Sequence, residues 1–136
     1  MSLLVDACVW SLSFRRRPGT PLTADQKRLL IEFEEAIAGG RVSIIGAVRQ
    51  EVLSGIRDKS QFLRTRQALE PFHDEEVVPN DYPEAARLFN LCLDRGVQCG
   101  SIDMLICAVA VRRNLAVLTY DKALMRCLNV LAIPHL

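Results

Sequence analysis

Two histidines, His73 and His135, are all that the 136-residue chain offers as imidazole, and its five cysteines (Cys8, Cys92, Cys99, Cys107, Cys127) contain no C-x-x-C pair. An odd set of isolated cysteines builds neither a disulfide framework nor a zinc site, so small buried thiols in a reducing compartment are expected. His73 beside "HDEE" and His135 in the tail read as surface residues. No Ser-His-Asp or Cys-His arrangement suggests covalent catalysis. No apolar run reaches the roughly eighteen residues of a membrane span, and "MSLLVDACVW" carries an acid where a signal peptide would be apolar. A soluble, cytoplasmic protein is expected. Seventeen basic against sixteen acidic residues, net +1, exclude the global basicity of a simple nucleic-acid coat. Any such contact must be local. Repeats, low-complexity tracts and linkers are also missing, so one domain over residues 1–136 is expected.

What is present is an alternation of short apolar runs and helical patterns. "SLLV", "RVSII", "EEVVP", "LAVLT" and "VLAI" read as five strands. Between them, "ACVWSLSF", the Thr23-capped "TADQKRLLIEFEEAIAGG", "AVRQEVLSGI", "SQFLRTRQALEPF", "PEAARLFNLCLDRG" and "KALMRCL" read as helices, with Gly39-Gly40 and Gly96 as stops. "RRRPGTPL" is a loop. The order predicts an α/β domain of three layers, α/β/α, with a mostly parallel five-stranded sheet covered on both faces.

"GSIDMLICAVA" (100–110) poses the chemical question, because Asp103 heads a run with no other polar face. Such a helix is buried on most sides. With Ser101 as the expected N-cap, Asp103 would lie in the first turn, where free N–H groups favour an acid. In open α/β sheets functional groups gather outside the carboxyl ends of the strands. Asp6 follows the first strand, Asp121 follows "LAVLTY", and Glu51 lies on the helix after the second strand, so all four acids can converge on that edge. Capping explains Asp6 and Asp121 as readily as a ligand role, and Glu51 can be a solvated acid beside Arg49 or Arg57. Converging carboxylates, however, raise one another's pKa unless a cation neutralises them. An all-oxygen donor set suits Mg²⁺ or Mn²⁺.

"LLVDACVW", "VRQEVLSG", "GSIDMLICAVA" and "LAVLTYDKAL" together resemble, in order and spacing, the four acidic motifs of PIN-domain ribonucleases, nearest to the VapC-type toxins of toxin–antitoxin pairs. The resemblance implies that Asp6, Glu51, Asp103 and Asp121 are catalytic and hold one or two Mg²⁺ or Mn²⁺ ions. It implies RNA hydrolysis leaving a 3′-hydroxyl and a 5′-phosphate, with tRNA or ribosomal RNA as common substrates. A homodimer and a cognate VapB-like antitoxin are implied as well. Two positions depart from the pattern: Cys8 stands where the family usually has Ser or Thr, and Ala123-Leu124 replace a further Asp-Phe after Asp121. Thr119 matches the family threonine that supports the last acid or its water.

An acidic pocket repels RNA, so basic residues should hold the flanking phosphates. Arg15, Arg16 and Arg17 are the leading candidates, followed by Arg49, Arg57, Lys59, Arg64 and Arg66, although solvated surface charge is the ordinary role of each. A receiver domain would need an acidic pair after strand one and a Lys after the last strand, and an aspartate-nucleophile phosphatase would need Asp where Cys8 stands. The stronger rival is a catalytically weak or inactive PIN-like module that binds RNA or a protein partner.

Overall fold

The computed structural model describes residues 1–16 and 18–136, and Arg17 therefore lies outside the described residues. The chain begins with β1 (Leu3–Val5), α1 (Ala7–Phe14), α2 (Ala24–Ala38), β2 (Val42–Ile44), α3 (Gly46–Leu53) and α4 (Lys59–Leu69). It continues with β3 (His73–Asp74), α5 (Asp81–Asp94), α6 (Ser101–Arg113), β4 (Ala116–Leu118) and α7 (Lys122–Val130). The sheet has the order β3-β2-β1-β4 and every pairing is parallel. Consecutive residues Leu3, Leu4 and Val5 are all fully buried, as are Ala116, Val117 and Leu118. Successive strand side chains point to opposite faces, so both faces of the sheet are covered.

Local chemistry explains most element ends. Thr23 and Gln26 form a reciprocal capping box on α2, which stops at Gly39 and the left-handed Gly40. Trp10 is fully buried, donates from Nε1 to the Val5 carbonyl at 3.0 Å and packs edge-on against Phe33 and Phe72. That cluster fixes α1 directly behind the end of β1. Cys92, Cys99, Cys107 and Cys127 are buried free thiols, placed as small core side chains.

Three details differ from the sequence reading. Among the described residues, the sheet has four strands. The third is His73–Asp74 rather than "EEVVP": the ladder ends where the Glu75 amide donates to the Ile44 carbonyl, after which the Glu76 carbonyl accepts from Arg112 and the Val78 amide donates to Asp81. "VLAI" is not the fifth strand: Val130 ends α7, Ala132 is left-handed and the Ile133 amide closes onto the Leu128 carbonyl. The tail reaches β4 through a single parallel bridge between Val117 and His135. Its apolar residues cap a helix and fill the core instead of forming a ladder. Finally, Gly100, not Ser101, is the N-cap of α6.

Candidate active site

The strand order places β1 at a topological switch point: the chain moves outward from β1 to β2 and β3, then returns to β4 on the other side of β1. Crevices at the carboxyl ends of strands form at such points. Asp6 follows β1 and caps α1, accepting from the Ala7 amide at 2.7 Å. Asp121 lies just beyond β4 and caps α7, accepting from Leu124 at 3.0 Å. Because α6 precedes a parallel strand it runs antiparallel to the sheet, which brings its first turn to the same edge. Asp103 sits in that turn and accepts from the Gly100 amide at 3.1 Å. Glu51 projects from the last turn of α3, which packs on α1. The capping roles and the clustering thus coexist at the same residues.

Asp6, Glu51 and Asp103 respond to the charges around them. Burial pushes the Asp103 carboxyl up to about 6, with the charges of Asp6, Asp121 and Glu51 adding to the shift against the Gly100 hydrogen bond. Burial likewise raises Asp6, which is almost fully buried, assisted by the Asp121 charge and opposed by hydrogen bonds from Thr119, Cys8 and Ala7. Glu51 is raised by burial and then by Asp6 and Asp121, although its side chain is exposed. Among the described residues, none of the four carboxylates has an ion-pair partner.

Two further side chains hold the cluster. Thr119 is buried; its hydroxyl donates to Asp6 Oδ2 at 2.8 Å and accepts from the Asp121 amide at 3.0 Å. It therefore ties the acid after β1 to the acid after β4. Cys8 Sγ donates to the same Asp6 oxygen at 3.3 Å and lies 3.4 Å from Thr119 Oγ1. Burial and the neighbouring Asp6 charge push the Cys8 thiol up to about 12, so it stays protonated and supplies the donor that a hydroxyl would.

The donor set fits a hard divalent cation: all-oxygen ligands, mutual repulsion and no internal cation to relieve it. Among the described residues, no three acidic, thiol or imidazole side chains form a ready-made metal cage.

The basic residues divide. Arg49 is committed elsewhere, donating to Asp74 at 2.9 Å, to the Leu69 carbonyl at 2.8 Å and to the Phe72 carbonyl, and this ties α3 to the end of α4 and to β3. Arg66 faces Glu70 at 3.9 Å. Arg15, Arg16 and Arg64 line one cavity. Tyr120 was not singled out from the sequence. It stands partly exposed between Thr119 and Asp121, with its phenol pushed up by burial and then by the nearby Asp6 charge. Its position beside the last motif is the only signal that could have marked it.

A family model described as the PIN domain matches residues 3–127. In structure, the chain is similar to FitAcB from Neisseria gonorrhoeae, with a TM-score of 0.72 at 16% identity over 98% of this chain and 95% of that one. It is similar to a toxin-antitoxin complex from Klebsiella pneumoniae, with a TM-score of 0.63 at 21% identity over 90% and 89% of the two chains. A protein from Pyrobaculum aerophilum gives a TM-score of 0.58 at 13% identity, covering 97% and 96%. At these identities the likeness is one of fold. No curated protein matches in sequence.

Proposed function

The chain belongs to the PIN domain family, and from that premise we propose that it is a metal-dependent endoribonuclease acting at Asp6, Glu51, Asp103 and Asp121, as the toxin of a VapBC-type toxin–antitoxin pair. The observation that supports the reading is that the charges of Asp6, Asp121 and Glu51 all act on Asp103 beside the sheet's switch point, with no ion-pair partner for any of the four among the described residues. Acids placed only for structure are normally paired or exposed, and Asp6 is buried without a cation.

The four carboxylates would hold one or two Mg²⁺ or Mn²⁺ ions. When bound, such an ion supplies a low-pKa water and stabilises charge on phosphate. The chain's own residues set the geometry. Thr119 and Cys8 both donate to Asp6 Oδ2, which fixes that carboxylate, while the Ala7 amide holds Oδ1. Thr119 also holds the Asp121 backbone, so the two acids keep their spacing. The apolar body of α6, buried from Met104 to Ala110 apart from Leu105, anchors Asp103. Arg15, Arg16 and Arg17 supply the positive rim for RNA in this reading.

The protein partners it carries are a VapB-like antitoxin and a second copy of the chain. An apolar cleft of about 470 Å³ between α5 and α6, lined by Tyr82, Phe89, Met104 and Leu105, supports a protein partner on that side. The retained hydrogen bonds of Cys8 favour an active site over an inactive module. Incubating the purified chain, freed of any antitoxin, with tRNA or ribosomal RNA and Mg²⁺ or Mn²⁺ tests the function. Cleavage by the wild type and not by Asp103→Asn is expected; cleavage by both, or by neither with either metal, rejects it.

A further inference from the structure

Among the described residues, six arginines engage in ion pairs: Arg28, Arg49, Arg66, Arg87, Arg112 and Arg113. Arg15, Arg16 and Arg64 have no ion-pair partner among the described residues, yet they share one cavity of about 570 Å³ between the end of α1 and the outer face of α4. Gln61 and the buried Thr65 complete its wall on the α4 side. The single carboxylate there, Asp58, is already engaged as the N-cap of α4, accepting from the Gln61 amide at 2.8 Å. Three cations therefore face one acid whose oxygen is turned to the helix end. Leaving like charges together without a partner is costly, and a bound anion relieves it.

Arg15 also links the cavity to α3, the helix that carries Glu51. Arg15 Nη1 lies 3.5 Å from the carbonyl of Ser54, the C-cap of α3. Glu51 is three residues earlier on that helix, about 4.5 Å along its axis. We propose that this cavity is a phosphate subsite which grips the backbone of single-stranded RNA next to the scissile position, a reading that rests on the ribonuclease assignment above. Arg64 of α4 is its distinguishing member, since it brings a second element to the loop arginines. Guanidinium forks suit phosphate oxygens, and Gln61 adds a neutral donor.

Binding of a 5′-fluorescein-labelled oligouridylate, followed by anisotropy without divalent metal over a salt series, tests the subsite independently of cleavage. The Arg15→Gln/Arg16→Gln/Arg64→Gln variant is expected to bind about tenfold more weakly, the effect of losing a charged hydrogen bond. Its log–log salt slope should shrink by at least about 0.7, the loss of one single-strand phosphate contact. If that variant does not fold, Arg16→Gln/Arg64→Gln, which alters only exposed side chains, should move both readouts the same way. Arg95→Gln, in a different cavity, should leave both unchanged. Equal affinity and slope in the variant and the wild type, or an equal loss in Arg95→Gln, would overturn the subsite. Loss of slope in a protein that cleaves no RNA would sustain the subsite and reject the nuclease instead.

Discussion

The two ends of α6 treat a carboxylate in opposite ways. At its C-terminal end, Arg112 grips the buried Asp81 of α5 with two hydrogen bonds of 2.9 Å, and Arg113 meets Glu75 at 3.1 Å. Those bonds hold Asp81 well below the usual carboxylate range, despite its burial. At the N-terminal end, Asp103 has only one amide donor and no cation, and burial, helped by the charges of three other acids, pushes it up to about 6. Burial alone does not separate the two residues; the presence of an internal cation does. The paired end stabilises the α5–α6 hairpin. The unpaired end costs stability.

The most severe way to break the comparison is at the site itself. Asp103→Asn should lower RNA cleavage by more than about 100-fold, since even outer partners of metal ligands cost about 10–100-fold. Initial rates with saturating Mn²⁺ check this. Asp81→Ala should act on stability, lowering it by about 2–3 kcal/mol in urea unfolding; that is less than a fully buried pair would lose, because Arg112 is one-third exposed. Smaller effects sharpen the account of the support. Thr119→Val removes a donor to Asp6 and an acceptor for Asp121, and should cost about tenfold in cleavage rate. Cys8→Ser keeps the hydrogen bond and should stay within about threefold of wild type, whereas Cys8→Ala should fall toward Thr119→Val.

The pH dependence separates the two ends by sign. The folded-state pKa of Asp103 is raised from 3.8 to about 6, so between those values the folded chain binds more protons than the unfolded one. Its contribution to stability without divalent metal therefore falls as pH rises through that window. Asp81 is lowered from the same starting value, so its contribution is present above about 4 and lost as pH falls below it. Urea midpoints from pH 4 to 7 for the wild type and Asp103→Asn should differ in slope, with the flatter decline in the variant.

Much of this site was legible in the sequence because the strands are short apolar runs and each of Asp6 and Asp121 follows one closely. Asp103 stood out against a helix with no polar face. The ends of the sheet were harder to read, since "EEVVP" and "VLAI" have strand-like composition while their placement is decided by distant partners. Arg112 takes the Glu76 carbonyl just past the last ladder bond, from the Glu75 amide to Ile44, and the Leu128 carbonyl receives the Ile133 amide. The role of Arg49 was equally hidden: nothing in "VRQEV" says that its guanidinium meets Leu69, Phe72 and Asp74. Local patterns expose groups at element boundaries, but long-range pairing decides which charges remain free.

Unfolding at pH 7 tests the central claim most directly, comparing wild type and Asp103→Asn with and without Mn²⁺. An uncompensated N-terminal end predicts that Asp103→Asn is more stable than wild type without divalent metal, by on the order of 1–2 kcal/mol. It also predicts that Mn²⁺ stabilises the wild type far more than the variant. A variant less stable than wild type in metal-free buffer, with Mn²⁺ stabilising both equally or neither, would contradict it.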